Sequence, residues 1–155
     1  MRRVAVLLVL ALVACKSDQK SGEKPHHHED RSDPATAAPA LSLAVTIDGT
    51  PATWGADAFA KVTKSAATNN GGESRDVWSL RELAHTLVGP SARVVSVTGE
   101  SGAKPIDAAA WADSTRTPIL QMTRRGTLKF RWANAAGAWD SEAEMKDVTK
   151  LEVLH

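Results

Sequence analysis

The sequence predicts one α+β domain at residues 41–155, a single compact domain of about five strands and two to three short helices. Three observations predict it. Leu43, Val45 and Ile47, and later Leu128, Phe130 and Trp132, are spaced two apart, the period of a half-buried strand. Leu80, Leu83, Ala84, Leu87 and Val88 recur at the spacing of an apolar helix stripe. Strand and helix patterns follow one another without the regular beat of a βαβ fold.

The first strand carries Leu43, Val45 and Ile47, and Asp48-Gly49 closes it in a tight turn. Trp54 to Lys64 reads as a short helix, with Phe59 and Val62 one turn apart and Asp57 in the favourable first turn. Thr68 to Asp76 reads as a loop, with Asn69, Asn70, Gly71 and Gly72. Ser79-Leu80-Arg81-Glu82 is a capping box that opens the strongest helix, and Gly89-Pro90 stops it. Arg81 and Glu82 fall on its solvent side. Val95 and Val97 alternate in the next strand, which Gly99-Glu100-Ser101-Gly102 ends. Asp107 caps a short helix carrying Trp111. Ile119 to Thr123 is a third strand, Arg124-Arg125-Gly126 a turn, and Leu128 to Trp132 a fourth strand. Asn134 to Glu144 is a Gly/Ala-rich loop, in which Trp139 is expected to be exposed, while Trp54, Trp111 and Trp132 read as core. Val148 to Leu154 is the last strand.

Composition narrows the function classes. The chain has 155 residues, with 19 Lys+Arg against 18 Asp+Glu and a net charge of +1. Nucleic-acid binding of the general kind needs a clear basic excess, so it is not expected. One cysteine leaves no disulfide framework and no Cys-based zinc or iron–sulfur site. There is no P-loop or Gly-rich dinucleotide fingerprint, and no cofactor is implied.

The N-terminus has its own logic. Met1-Arg2-Arg3 precedes an unbroken apolar run from Val4 to Val13. Ten helical residues span about 15 Å, roughly half a bilayer's hydrocarbon core, which suits a signal-peptide h-region rather than a permanent span. The run ends in Leu12-Val13-Ala14-Cys15, which resembles the lipobox of bacterial lipoproteins. That resemblance implies a signal peptide at residues 1–14, a diacylglyceryl thioether on Cys15, and cleavage between Ala14 and Cys15. The implied partner is a membrane, reached through lipid on Cys15. Lys16 stands where an aspartate often signals inner-membrane retention in that family. The resemblance therefore implies a bacterial cell-envelope protein, lipid-anchored at the outer membrane and facing the periplasm. A secretory peptide with an incidental cysteine is the alternative.

Residues 15–40 form the lipidated cysteine and a linker. Pro25, Pro34 and Pro39 break any helix, and few large apolar side chains offset chain entropy, so disorder is expected. His26-His27-His28, followed by Glu29 and Asp30, is a weak candidate site for nickel, copper or zinc. Incidental histidines in a polar linker are the plainer reading.

Arg116, Arg124, Arg125, Lys129 and Arg131 fall close together, with no acid between Asp113 and Asp140. Arg124, Arg125, Lys129 and Arg131 are candidate ligands for an anion, a phosphate or a lipid headgroup. The plainer reading is a solvated hairpin, with Lys129 and Arg131 on the outer face of an amphipathic strand. His85 lies at the edge of the helix stripe without a partner at a recognisable catalytic spacing, and reads as a surface or boundary residue.

One further likeness spans the domain. Val45-Thr46-Ile47-Asp48-Gly49, Ala58-Phe59, the 65–77 segment, Trp78-Ser79-Leu80-Arg81-Glu82-Leu83, Val94-Val95-Ser96-Val97 and Val148-Thr149-Lys150-Leu151-Glu152-Val153 follow in an order that resembles the molybdopterin-binding domain of the sulfite-oxidase family. In that family a loop at the place of 65–77 bears the cysteine that ligates molybdenum. This domain has no cysteine and is shorter, so the resemblance implies a degenerate scaffold. The expected function is a non-enzymatic binding or assembly domain for an envelope protein or small ligand. The competing expectation is a small molybdopterin-dependent oxidoreductase-like enzyme, or another periplasmic redox or transfer enzyme, using His85, the arginines or a bound cofactor.

Overall fold

Residues 42–55 make a hairpin because the two residues at its tip accept positive φ. β1 (Ser42–Ile47) and β2 (Thr50–Gly55) are joined by Asp48 and Gly49 at φ 47° and 83°. Such a turn matches the twist of the strands it joins. The computed structural model describes residues 41–139 and 144–155, all within one compact unit. The leader at 1–14, Cys15, the 15–40 linker and His26, His27 and His28 lie outside the described residues.

Trp54 does not begin a helix. It pairs with Leu43 inside β2, and α1 is the single turn Ala56–Phe59. Thr50 and Thr53 favour extended backbone, and Pro51 is tolerated because β2 is an edge strand with no outer partner. The expected loop from Thr68 to Asp76 shrinks to a turn at residues 70–73 between two strands. β3 (Ser65–Asn69) and β4 (Ser74–Ser79) pair antiparallel, and the Asn69 side chain accepts the Glu73 N–H at 2.8 Å to close the turn.

α2 (Leu80–Leu87) forms as the capping box predicts, with Ser79 Oγ accepting the Glu82 N–H at 3.2 Å and Leu80, Leu83 and Ala84 buried. β5 (Arg93–Gly99) then pairs with β6 (Gly102–Pro105). The expected alternation of Val95 with Val97 is broken by a bulge opposite Glu152 and Val153, so Val94 and Val97 are the buried pair. α3 (Ala108–Ala112) carries buried Trp111, and Asp107 accepts the Ala110 N–H at 2.6 Å as its cap. β7 (Arg116–Met122), β8 (Leu128–Asn134), β9 (Ala138–Trp139) and β10 (Lys150–Leu154) complete the chain.

The described residues thus hold ten strands and three short helices, where about five strands were expected. β2-β1-β10-β5-β6 form an open sheet, in which β1 runs parallel to β10. β3-β4-β7-β8-β9 close into a small barrel. α2 packs against β5 of the sheet and against β4 and β7 of the barrel. The main core lies around it: Leu43, Val45, Val97 and Leu151 from the sheet meet Leu120 and Phe130 from the barrel. Phe59 packs edge-on to Trp78 at 4.9 Å between ring centres.

Candidate anion-binding site

The turn between β7 and β8 is built by its threonines. Gly126 N–H donates to Thr123 O at 3.1 Å, and Thr123 N–H donates to Thr127 O at 2.8 Å. Gly126 stands at φ 80°, where a side chain would be strained. Thr123 Oγ1 also accepts the N–H groups of Arg125 and Thr127, at 3.3 and 3.2 Å. This three-residue loop leaves Arg124 and Arg125 exposed at its tip.

Below the tip is a cleft of about 450 Å³ lined by Glu100, Thr123, Arg124, Arg125, Thr127, Lys129, Lys146 and Asp147. Lys146 comes from the segment ahead of β10, which is laid against β8 and β5. Phe130 N–H donates to Met145 O at 2.9 Å, Val148 N–H to Leu128 O at 2.8 Å, and Glu100 N–H to Lys146 O at 2.9 Å. The approach at β5 needs glycine, since a Cβ on Gly99 would fall 2.3 Å from Lys146 O. Asp147 adopts a left-handed backbone at φ 45°, which aspartate tolerates better than most residues. Four cations therefore meet two carboxylates around one concavity. Arginine offers planar paired donors and lysine a mobile point charge, a set suited to phosphate or carboxylate oxygens.

Three of the four cations predicted from sequence, Arg124, Arg125 and Lys129, are brought together. Arg131 is not. It is 7% exposed and shares the barrel's inner face with Ile119 and Ala133. Its Nε donates to Gln121 Oε1 at 3.2 Å, its guanidinium sits 5.8 Å from the Trp139 ring, and burial pushes its pKa down. Lys129 and Arg131 do share one face of β8, but Arg131 on that face is buried beside Trp139 rather than turned to solvent. Trp139 is also inside, not exposed: β9 sets it opposite Ala133 and Asn69, and 4% of it is exposed. Lys146 was missed, because it enters through a linker that no periodicity marks.

Arg81 departs from its expected solvent position. It is half-buried, its Nη2 donates to Trp111 O at 2.6 Å, and its guanidinium lies 5.6 Å from the Trp111 ring. His85 is exposed on α2 and does not line the cleft.

Two further concavities adjoin. A cleft of about 220 Å³ is lined by Leu41, Ser42, Gly126, Thr127, Leu128, Asp147, Val148 and Thr149. An apolar groove of about 360 Å³ is lined by Leu41, Ala56, Phe59, Ala60, Val62, Lys64, Trp78 and Met122. Among the described residues no three His, Cys, Asp or Glu side chains gather as a metal site, and no helix is long and apolar enough to cross a membrane.

No known protein family, curated protein or solved structure matches this chain. The molybdenum centre of the sulfite-oxidase family does not fit these residues. The segment that would carry its thiolate is the β3–β4 hairpin, and residues 41–155 contain no cysteine.

Proposed function

We propose that residues 41–155 form a non-enzymatic α+β binding module, carried on the bacterial envelope through lipid on Cys15, that takes an anionic ligand in the cleft at the β7–β8 turn. The observation that carries this reading is the convergence of Arg124, Arg125, Lys129 and Lys146, from two separate stretches of chain, on one concavity. The enzyme reading draws less support. It would use His85, the arginines or a bound cofactor, and His85 does not line the cleft where Arg124 and Arg125 meet Glu100 and Asp147. Any likeness to the sulfite-oxidase domain is then one of scaffold, without its metal ligand.

The test is titration of inorganic phosphate into the 15–155 chain carrying Cys15→Ser, followed by amide shifts in the β7–β8 turn. Charge-assisted hydrogen bonds contribute about 1.5–3 kcal/mol each, so Arg124→Ala should weaken phosphate binding roughly tenfold to a hundredfold. No shifts at residues 123–129 and 146 would refute the site. The anchor is tested separately: Cys15→Ser in the full chain should release it from the membrane fraction, because serine cannot form the thioether.

A further inference from the structure

We propose that the cationic cleft and the neighbouring Met122 form one face by which the domain lies on an anionic lipid bilayer. This rests on the anion-binding reading above and names the ligand: phosphate groups displayed on a membrane surface.

Continuity is the first argument. Leu41 lines both the apolar groove and the smaller cleft, and Thr127 and Asp147 line both the smaller and the cationic cleft. The three concavities are thus a single strip, apolar at one end and cationic at the other.

Placement of the chain is the second. Leu41 directly follows residues 15–40 in the sequence, so the chain from Cys15 joins the domain at a residue of this strip. Twenty-five residues lie between the two positions, and no such length of chain reaches beyond roughly 90 Å. An anchor on Cys15 would keep the domain near lipid at high local concentration, with the tether joining it beside this face.

Chemistry is the third. Met122, 42% exposed, is one of two exposed large hydrophobic residues among those described. It lies directly before the turn that carries Arg124 and Arg125. Its unbranched thioether can enter the interface while the guanidinium groups stay among headgroup phosphates. A groove meant for an acidic protein would gain from the same charges, but would not need an apolar side chain standing free beside them.

The experiment uses the 15–155 chain with Cys15→Ser, so that no acyl chain contributes. It should co-sediment with phosphatidylcholine vesicles containing phosphatidylglycerol, release as salt rises, and ignore pure phosphatidylcholine. Arg124→Glu with Arg125→Glu should cut vesicle affinity roughly 30-fold or more. Met122→Asp should weaken vesicle binding about tenfold while leaving inorganic phosphate binding unchanged. Circular dichroism should match the parent for both variants, whose sites are exposed. Phosphate binding without vesicle binding would overturn this inference and leave the proposed function standing. Loss of both would sink the two together. Retention on polyglutamate with no affinity for vesicles would put an acidic protein on this face and overturn the membrane assignment. So would vesicle binding insensitive to either variant.

Discussion

Arg81 occupies the polar side of the α2 pattern, yet its guanidinium donates to the backbone carbonyl of Trp111 at the end of α3. A basic side chain there satisfies a carbonyl that the helix cannot. Removing it should cost about 1–2 kcal/mol, more than a surface change. His85→Ala, on an exposed position of the same helix, should cost under about 0.5 kcal/mol. Leu83→Ala, wholly buried mid-stripe, should cost about 2–5 kcal/mol through transfer and cavity terms. Urea midpoints at unchanged slope rank the three, and equal values for Arg81→Ala and His85→Ala would show that the carbonyl contact contributes nothing. Asp113 gives a test by pH. The Thr115 hydroxyl and N–H donate to Asp113 Oδ1 at 2.6 and 2.9 Å, and with Arg116 nearby they hold its carboxyl below the ordinary 3.8. A depressed folded value stabilises the protein above the unfolded value, and that stabilisation is lost as pH falls through the folded one. Carboxyl NMR should find the Asp113 midpoint below 3.8, and Thr115→Val should move it upward. A midpoint that does not move would mean the hydroxyl is not the main cause.

At the scale of elements, legibility followed periodicity. α2, its cap and the Asp107 cap of α3 could be read because both local hydrogen bonds and apolar spacing agree there. β1 and β8 could be read because one face of each meets the core. β2 and β6 were hidden because most of their residues are exposed, β3 because it buries one residue, β4 because its two buried residues, Val77 and Trp78, are adjacent rather than alternating, and β9 because it has two residues. Alternation also does not say what lies on either side. Lys129 and Arg131 alternate with Leu128, Phe130 and Trp132, and a barrel interior satisfies that pattern as well as solvent does. The cleft was half legible for the same reason: the turn cations are adjacent in sequence, whereas Lys146 depends on a non-local docking of the linker onto β5. Gly99→Ala tests that docking. The added Cβ would lie 2.3 Å from Lys146 O and 2.7 Å from Met145 Cγ, so the linker must move and the Glu100 N–H loses its acceptor. The expected cost is about 1–3 kcal/mol, together with weaker phosphate binding as Lys146 is displaced. Unchanged stability and affinity would mean that Lys146 is not held at the cleft by this contact.

Across the whole molecule, sheet and barrel are separate strand ladders, but the segment from Met145 to Thr149 hydrogen-bonds to both, and they share one core. α2 is packed between them, and Leu83 and Ala84 belong to the same buried cluster as Val97 and Leu151 from the sheet and Leu120 and Phe130 from the barrel. The parallel pairing of β1 with β10 also joins the two ends of the described chain, so neither layer is completed by a contiguous segment. A domain built this way should unfold as one unit. Four of the five tryptophans lie on strands of the two layers and report on it: Trp54 lies in the sheet, and Trp139 lies inside the barrel. In protein labelled with 5-fluorotryptophan, the native fluorine signals of Trp54 and Trp139 should vanish at the same urea concentration. Leu83→Ala should lower both midpoints equally, because its cavity opens in the shared core. If the Trp139 signal is lost first, and Leu83→Ala shifts only one of the pair, the small barrel, with its own inner cluster of Ala67, Val77, Ile119, Ala133 and Trp139, is a separate cooperative unit. The cationic cleft would then sit across the boundary between two units, since its arginines belong to the β7–β8 turn of the barrel while Glu100 belongs to the β5–β6 turn of the sheet. Ligand binding there would stabilise the junction more than either part alone.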